Sequence, residues 1–525
     1  KKVTHNFGNI EFNEQFLKAF DLMQSTNNNV FVTGKAGTGK STLLNHFRNN
    51  TEKQVAVLAP TGTAAVNIKG QTVHSFFKFK PNVTLASIKA GRNSSDTKKE
   101  NIYKKLDIII IDEISMIRAD LLDCIDKFLR INGKKFDQPF GGIQMIFIGD
   151  LYQLPPVVPS SEKQIFKSYY TTPYFFSAKC FDGLDMEFIE LDKIYRQSDS
   201  KFINVLNAIR NNSATDDDIN IINERYDESF EPNINDFYIY LTSTNTNSEL
   251  LNSQRLSKIK AKEYTFTGVT EGNFTKDQLP TLIDLKLKIG AQVMMLNNDS
   301  GGRFINGTIG KITSIDANDE IPKLIILLET GMRVSIAPYT WESYHFYLEG
   351  TELKSGITGT FTQYPVMLAW AITIHKSQGK TFDKVILDIG KGTFAHGQIY
   401  VALSRCTCLE GLIIKKKIAK KHIWMDWNVV RFVTDYQYKK SAQECPTEDK
   451  IKIIEDAIKN RLILNITYLK AKDEKSSRLI QPTYIGEMLY LGKTYTGIQA
   501  FCLKRRENRV FKVDRILEIS YYSEN

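Results

Sequence analysis

The sequence predicts an α/β protein in which parallel strands covered by helices are joined to smaller β-rich regions, and three stretches carry that expectation. Val30-Phe31-Val32 reads as a buried strand and Thr42-Leu43-Leu44-Asn45-His46-Phe47 has helical spacing, so the glycine-rich segment between them joins strand to helix. Leu106-Asp107-Ile108-Ile109-Ile110-Ile111 is an almost continuous apolar run, and burial on both faces marks a central parallel strand. From about Asp284 to Tyr364, short strands alternate with Gly301-Gly302 and Asn306-Gly307 turns, the pattern of a small antiparallel barrel.

The joining segment, from Gly34 to Thr42, reads G-x-x-x-x-G-K-S and predicts a phosphate-binding loop. Backbone N–H groups of Gly34, Ala36, Gly37, Thr38 and Gly39, with the helix start at Thr42, would cradle a β-phosphate. Glycines are needed because side chains would intrude on so close an approach. Lys40 then neutralises β/γ charge and Ser41 binds Mg²⁺, so ATP and Mg²⁺ are the expected cofactors. The alternative is a glycine turn that binds nothing; the flanking strand and helix weigh against it.

At 525 residues the chain exceeds one hydrophobic core, and three or four domains are expected. No apolar run approaches the roughly 18 residues of a membrane span, and no signal-peptide pattern opens the sequence, so a soluble, intracellular protein is expected. Six scattered cysteines without a CxxC pair give neither a zinc site nor a disulfide framework. The formal charge of +10 favours a polyanionic partner, nucleic acid before membrane.

A helix is expected from Glu14 to Met23. Gln15 on it offers a side-chain amide that can read an adenine edge bidentately, against the plain alternative of a solvated glutamine. Val55-Ala56-Val57-Leu58 reads as a second strand, ending in Ala59-Pro60-Thr61-Gly62; Thr72, His74, Ser75 and Phe76-Phe77 follow. The two phenylalanines either stack bases or pack in the core, and the sequence leaves both open. Lys78 to Lys105 is polar, with a mobile loop expected over Arg92-Asn93-Ser94-Ser95-Asp96. The isoleucine strand closes on Asp112 and Glu113, where ligands bind in open α/β sheets: Asp112 can hold Mg²⁺ through water while Glu113 orients and deprotonates the attacking water. Another strand, Met145 to Ile148, leads to Gln153, placed to sense a γ-phosphate, and to the stiff Leu154-Pro155-Pro156 turn.

The strings Ala59–Phe77, Ile109–Ile117 and Phe147–Val157 resemble the Pif-one (petite integration frequency) family of DNA helicases, which belong to superfamily one and are related to RecD. Glu113 to Asp123 resembles that family's signature segment. The resemblance implies two RecA-like domains with ATP between them. Glu190 to Gln197 resembles the motif that brings Arg196 to the γ-phosphate. Ala369–Gly379 and Tyr400–Arg405 match the last two motifs, with Arg405 a second finger and Gln378 and Gly379 at the nucleotide. An arginine's planar fork stabilises spreading phosphoryl charge, by about 10³- to 10⁵-fold in rate. The resemblance further implies strand contacts by Pro60, Thr61, Gly62, His74, Phe76, Pro155, Pro156, Thr373, His375 and Lys376, and an SH3-like module in the β-rich interruption.

The expected division is residues 1–185 for the first RecA-like domain, with a small wedge near 67–105; 186–283 with 365–436 for the second; 284–364 for the SH3-like insertion; 437–449 for a linker; and 450–525 for a last module that resembles a WYL domain. The Trp-Tyr-Leu triad of that family falls here on Thr496-Gly497-Ile498. Lys504-Arg505-Arg506, Arg509, Lys512 and Arg515 stand near Tyr495, Phe501 and Phe511, giving either a single-strand grip or a solvated face over a small core. What these resemblances imply is an ATP-dependent, 5′-to-3′ DNA helicase of repair, recombination or telomere-type genome maintenance. It would act as a monomer on single-stranded DNA and single/double-strand junctions, with G-quadruplex DNA a further substrate, in the cytoplasm of a bacterium near the nucleoid. A P-loop switch without unwinding, or a ligand-sensing regulator led by the last module, are the other readings.

Overall fold

The computed structural model describes residues 13–80, 83–88, 101–195, 199–233, 235–299, 301–316, 321–349, 352–390, 395–470, 473–490 and 492–522. Arg196 and the Arg92–Asp96 loop lie outside these. The chain divides into two compact units, one reaching to Asn207 and resuming over Thr215–Trp424, the other formed by Ala208–Ala214 and Met425–Asn525. No helix among the described residues is long and apolar enough to cross a membrane.

The first unit opens with helix Glu14–Ser25, capped by Asn13, whose Oδ1 accepts from the Phe16 backbone N–H at 2.9 Å. Six parallel strands follow: β1 (Asn29–Gly34), β2 (Val55–Ala59), β3 (Gln71–Thr72), β4 (Ile108–Ile111), β5 (Gln144–Ile148) and β6 (Met186–Leu191). Their order across the sheet is β3-β2-β4-β5-β1-β6. β4 and β5 are wholly buried because helices cover both faces, which is why their sequence shows no polar alternation. Ile108, Ile110, Ile146 and Ile148 pack with Leu43, Leu44 and Phe47 of helix Lys40–Asn50, so the same apolar stripe that closes the core fixes the phosphate loop at the end of β1. β6 departs from the expected division at residue 186: it pairs in register with β1 from Asn29↔Met186 to Gly34↔Leu191 and is the edge of this first sheet.

A second parallel sheet runs in the order Ala371–Thr373, Ile239–Thr242, Val385–Asp388, Leu412–Ile414. Between its strands lies antiparallel structure that begins at Glu263–Thr267, earlier than the expected Asp284, because this strand pairs with Asp284–Lys288. Five further strands, from Gln292–Met295 to Val366–Leu368, form one twisted sheet with alternating burial in Lys323–Leu328. The hairpin of Tyr339–Glu349 and Glu352–Gln363 extends from it and pairs with Val269–Gly272.

In the second unit, the passage expected to be a linker is instead helical. Helix Trp427–Glu444 runs through most of it and helix Thr447–Asn460 begins at once after Pro446. Lys439, Gln443, Glu444, Thr447, Glu448 and Asp449 stay exposed, but Gln437, Ser441 and the adjoining Lys450 are buried and bonded. Gln437 Nε2 donates to Asp473 Oδ1 at 2.9 Å, and the buried Lys450 ammonium donates to Ser441 Oγ at 2.7 Å and the Ile516 carbonyl at 2.8 Å. Polar composition therefore misreads as a tether what is a hydrogen-bonded seam. Five antiparallel strands complete the unit, ordered Glu507–Lys512, Lys493–Cys502, Glu474–Tyr490, Leu464–Lys470, Ile516–Tyr521, over a core of Ile454, Ile466, Ile480, Ile498, Phe511 and Ile516.

Candidate nucleotide site and strand-contacting residues

β1 ends in Gly34 at φ +153°, where an added Cβ would lie 2.6 Å from the Leu191 carbonyl oxygen and 2.7 Å from Thr38 Oγ1. Only glycine fits between β6 and the loop. Gly37 and Gly39 also have positive φ, and Gly39 precedes the first turn of helix Lys40–Asn50. Thr38 is buried and its hydroxyl bonds the Lys35 carbonyl at 2.9 Å, bracing the turn; Ala36 is buried as well. The Lys40 ammonium donates to the carbonyls of Gly34 at 2.7 Å and Lys35 at 2.9 Å, so the loop's own oxygens hold the charge where phosphate oxygens would take it. Ser41 and Thr42 are exposed at the helix start, a position that favours anions. Gln15 is half-buried on the first helix.

The two acids leave β4 together. Glu113 adopts the left-handed region at φ +50°, costly for a non-glycine residue, and its backbone N–H donates to Asp112 Oδ1 at 3.0 Å. Burial first, then the Asp112 charge, pushes the Glu113 carboxyl up to about 7, while Lys40 and Arg405 oppose the shift and Asp150 adds to it. Asp112 is also pushed up by burial, against the Glu113 N–H and Lys40. The two carboxylates feel the charge of Lys40, next to which Ser41 is exposed; carboxylate and hydroxyl oxygens are hard donors that suit Mg²⁺, and among the described residues no cluster of three His, Cys, Asp or Glu offers a competing metal site.

The second parallel sheet meets this site directly. Gln153 is buried; its Nε2 donates to Asp150 Oδ2 at 3.4 Å and its Oε1 accepts from Gln378 Nε2 at 3.3 Å. Gly379 has positive φ, turning the chain after Gln378. Arg405 is 1% exposed, and its guanidinium is steered by four bonds within its own lobe: to Val401 O at 2.8 Å, Ser404 Oγ at 2.8 Å, and the carbonyls of Ser377 and Lys380, both at 3.3 Å. Its charge acts on Glu113 across the cleft. Three residues outside the expected set complete the junction. Tyr400 Oη accepts from the buried Ala36 N–H at 3.1 Å, His396 Nε2 meets the Leu151 carbonyl at 3.2 Å, and Gly397 lies where a Cβ would be 2.3 Å from the Tyr152 oxygen. Tyr400 stands in the segment already singled out for Arg405, but nothing in a sequence pairs a tyrosine with an amide so distant in the chain. A cavity of about 1040 Å³ lies elsewhere, among Tyr226, Arg255, Asp388 and Lys415, and shares no residue with this site.

Of the expected strand contacts, Thr61 is exposed and caps helix Gly62–Asn67 through its hydroxyl, with Pro60 half-buried and Gly62 buried beside it. His74 is half-buried, and burial and Arg118 push its imidazole down while Asp120 opposes them. Pro155 is half-buried and Pro156 buried. Lys376 is exposed, and His375, half-buried, is pushed down by burial. Thr373 is 3% exposed and its Oγ1 accepts from the Lys376 N–H at 3.2 Å, so it shapes the turn rather than facing solvent. Phe76 is corrected outright: at 3% exposure it packs edge-on against Phe77, Tyr103 and Phe346 at 4.9, 5.5 and 5.7 Å, with no face left for a base. In the last unit Phe511 is likewise core, while Phe501 is 38% and Tyr484 49% exposed; Arg515 is half-buried, and the Lys512 ammonium sits 4.3 Å from the Tyr495 ring centroid.

A PIF1-like helicase family model matches residues 12–219 and a WYL domain model matches residues 449–520. The ATP-dependent DNA helicase Pif1 of Campylobacter jejuni is 31% identical over 398 residues, 72% of this chain and 87% of that protein. Among solved structures, Bacteroides sp Pif1 in complex with ADP-AlF4 is 37% identical with a TM-score of 0.76, covering 82% of this chain and 98% of that one. Pif1 helicase from Bacteroides in complex with ADP-AlF3 and ssDNA is 38% identical with a TM-score of 0.59 over the same shares. A phosphate loop, paired acids and a buried arginine in this order, together with kinship over most of two chains, establish that the protein belongs to the PIF1-like helicase family.

Proposed function

We propose that the protein is an ATP-dependent DNA helicase that moves 5′-to-3′ along single-stranded DNA and opens duplexes at single/double-strand junctions. The observation that carries this reading is the contact of Gln378 with Gln153, which joins the second parallel sheet to the end of β5 beside the paired acids. ATP would lie with its phosphates on Gly34–Thr42 and its adenine toward Gln15. Ser41 and Asp112 would hold Mg²⁺, which supplies charge neutralisation on the phosphates. Glu113 then takes the proton of the attacking water, Gln153 and Gln378 sense the γ-phosphate, and Arg405, joined by Arg196, stabilises charge on the transferring group. Closing and opening of the junction between the sheets moves the strand.

The strand would cross both sheets through Pro60, Thr61, Gly62, His74 and Pro155 on one side and His375 and Lys376 on the other, with Pro156 and Thr373 buttressing from beneath. The kinship to a Bacteroides helicase solved with ssDNA supports this path. The WYL-matched unit acts as an accessory grip, since Arg505, Arg506 and Arg509 are exposed near Phe501. A bacterial nucleoid setting, a monomeric state and G-quadruplex substrates belong to the same reading. Duplexes carrying a 5′ tail should be unwound and those with a 3′ tail should not; equal unwinding of both would overturn the polarity, and none of either the helicase reading. Lys376→Ala should lower the magnitude of the salt slope for strand binding by about 0.7, the value of one single-strand phosphate contact.

A further inference from the structure

Lys380 follows Gln378-Gly379 in the turn after strand Ala371–Thr373, and no step above uses it. Its backbone and its side chain point to different places. The Lys380 carbonyl accepts from Arg405 Nη1 at 3.3 Å, alongside the Ser377 carbonyl at the same distance, so these two oxygens hold the Nη1 end of a guanidinium whose Nε and Nη2 are bonded to Val401 and Ser404. The Lys380 ammonium donates to Asn306 Oδ1 at 2.5 Å. Asn306 belongs to the turn between strands Gln292–Met295 and Ile309–Asp316 of the inserted antiparallel sheet.

That turn is itself held firmly. The Asn306 N–H donates to Asn298 Oδ1 at 2.8 Å and the Gly307 N–H to the Met295 carbonyl at 2.9 Å. Gly307, at φ +106°, sits where a Cβ would touch Lys380 Cβ at 3.5 Å, so the lysine stem lies along the turn. Burial pushes the ammonium down to about 8. Lys380 as a whole is half-buried, yet taking its ammonium out of water is costly; the contact is therefore better explained by what it joins.

We propose that Lys380 is a positioning residue that couples the inserted antiparallel sheet to Arg405, by gripping Asn306 with its side chain while its carbonyl orients the guanidinium. The coupling rests on the reading of Arg405 as the group that stabilises the transferring phosphoryl. A shift of the Asn306-Gly307 turn draws on Lys380, turns its carbonyl, and changes the aim of Arg405 without any contact between the insert and ATP.

The test compares Lys380→Met, Lys380→Arg and Asn306→Ala, alone and combined, in the full chain. Lys380→Met and Asn306→Ala should each lower kcat of DNA-stimulated ATP hydrolysis about tenfold while KM for ATP stays within twofold, because nucleotide binding is left intact. The Lys380→Met, Asn306→Ala double variant should be no worse than either single one, and Lys380→Arg should restore most of kcat. In the same nucleotide-free variants, amide hydrogen exchange should rise both in the segment around Asn306 and in the turn 377–380. Multiplying effects in the double variant, or unchanged kcat with Lys380→Met, overturns the coupling. Should Lys380→Met fail to fold, Asn306→Ala alone decides on kcat against KM. Arg405→Ala separates the two readings: if it keeps near-normal turnover the role of Arg405 falls, while linked exchange of the two segments still tests the grip itself.

Discussion

Gln378 Nε2 donates to Gln153 Oε1 at 3.3 Å, joining two segments 225 residues apart, and Gln153 in turn donates to the buried Asp150. One side chain therefore links the end of β5 to the turn that also carries the Arg405 anchors. If the pair senses the γ-phosphate as a unit, Gln153→Ala and Gln378→Ala should each cut DNA-stimulated hydrolysis at least tenfold. A double-mutant cycle on kcat should show a coupling of about 0.5–2 kcal/mol. Independent effects would mean that the contact is incidental.

Tyr400→Phe removes the oxygen that accepts from the Ala36 N–H. In the nucleotide-free protein this leaves a buried donor unpaired, at a cost of about 1–3 kcal/mol, whereas a bound phosphate would satisfy it. The variant should be less stable without nucleotide and bind ATP more tightly, about fivefold for ~1 kcal/mol. Equilibrium titration with a fluorescent nucleotide measures this; weaker binding would place Ala36 away from the phosphates.

Glu113 supplies a signed pH dependence. Its carboxyl is raised from 4.5 to about 7, so the folded chain binds this proton more tightly than the unfolded one. Stability from this group is present below about pH 4.5 and is lost as pH rises through about 7. Glu113→Gln should therefore raise the Tm of the nucleotide-free protein at pH 8 on the order of 2–4 °C, the shift ~1 kcal/mol produces in a domain of this size, and change it little at pH 4. It should also bind ATP while hydrolysing none. A uniform shift at both pH values would remove the titration from the account.

Phe76→Ala should act on stability and not on DNA. Deleting a ring packed against three others costs about 3–5 kcal/mol. Thermal unfolding should register that loss, and oligonucleotide affinity per folded molecule should stay within twofold. A selective loss of affinity would restore the stacking role.

Removing the last unit calls for a cut at the boundary near Trp424, where the first unit ends. Such a protein should keep DNA-stimulated ATPase activity, bind single strands more weakly and unwind more slowly. A cut at Gln437 should instead give an insoluble product, because it severs helix Trp427–Glu444 and exposes Val429, Val430 and Val433. Equal unwinding by the Trp424-terminated protein would reassign the unit to a small ligand or a protein partner.

The sequence by itself determined the parts of this protein whose chemistry is local. A phosphate loop needs its glycines and lysine in consecutive order, and a strand buried on both faces shows as four isoleucines ending in two acids; both stand where the sequence placed them. The β-rich interruption was legible through its turn residues, since Gly301-Gly302 and Asn306-Gly307 act within a few residues of themselves. Tertiary structure alone decided the rest. Whether Phe76 stacks a base or fills a core depends on Tyr103 and Phe346, which its neighbours in sequence do not announce. Met186–Leu191 belongs to the first sheet because β1 leaves an edge for it, and the polar passage from Gln437 docks as helix because Asp473 and Ile516 satisfy the buried side-chain donors of Gln437 and Lys450 at its two ends. The grip of Lys380 on Asn306 and of Tyr400 on Ala36 arises the same way: hydrogen bonds between residues far apart in the chain cost loop entropy that only a folded core repays, and they leave no period or spacing in the sequence.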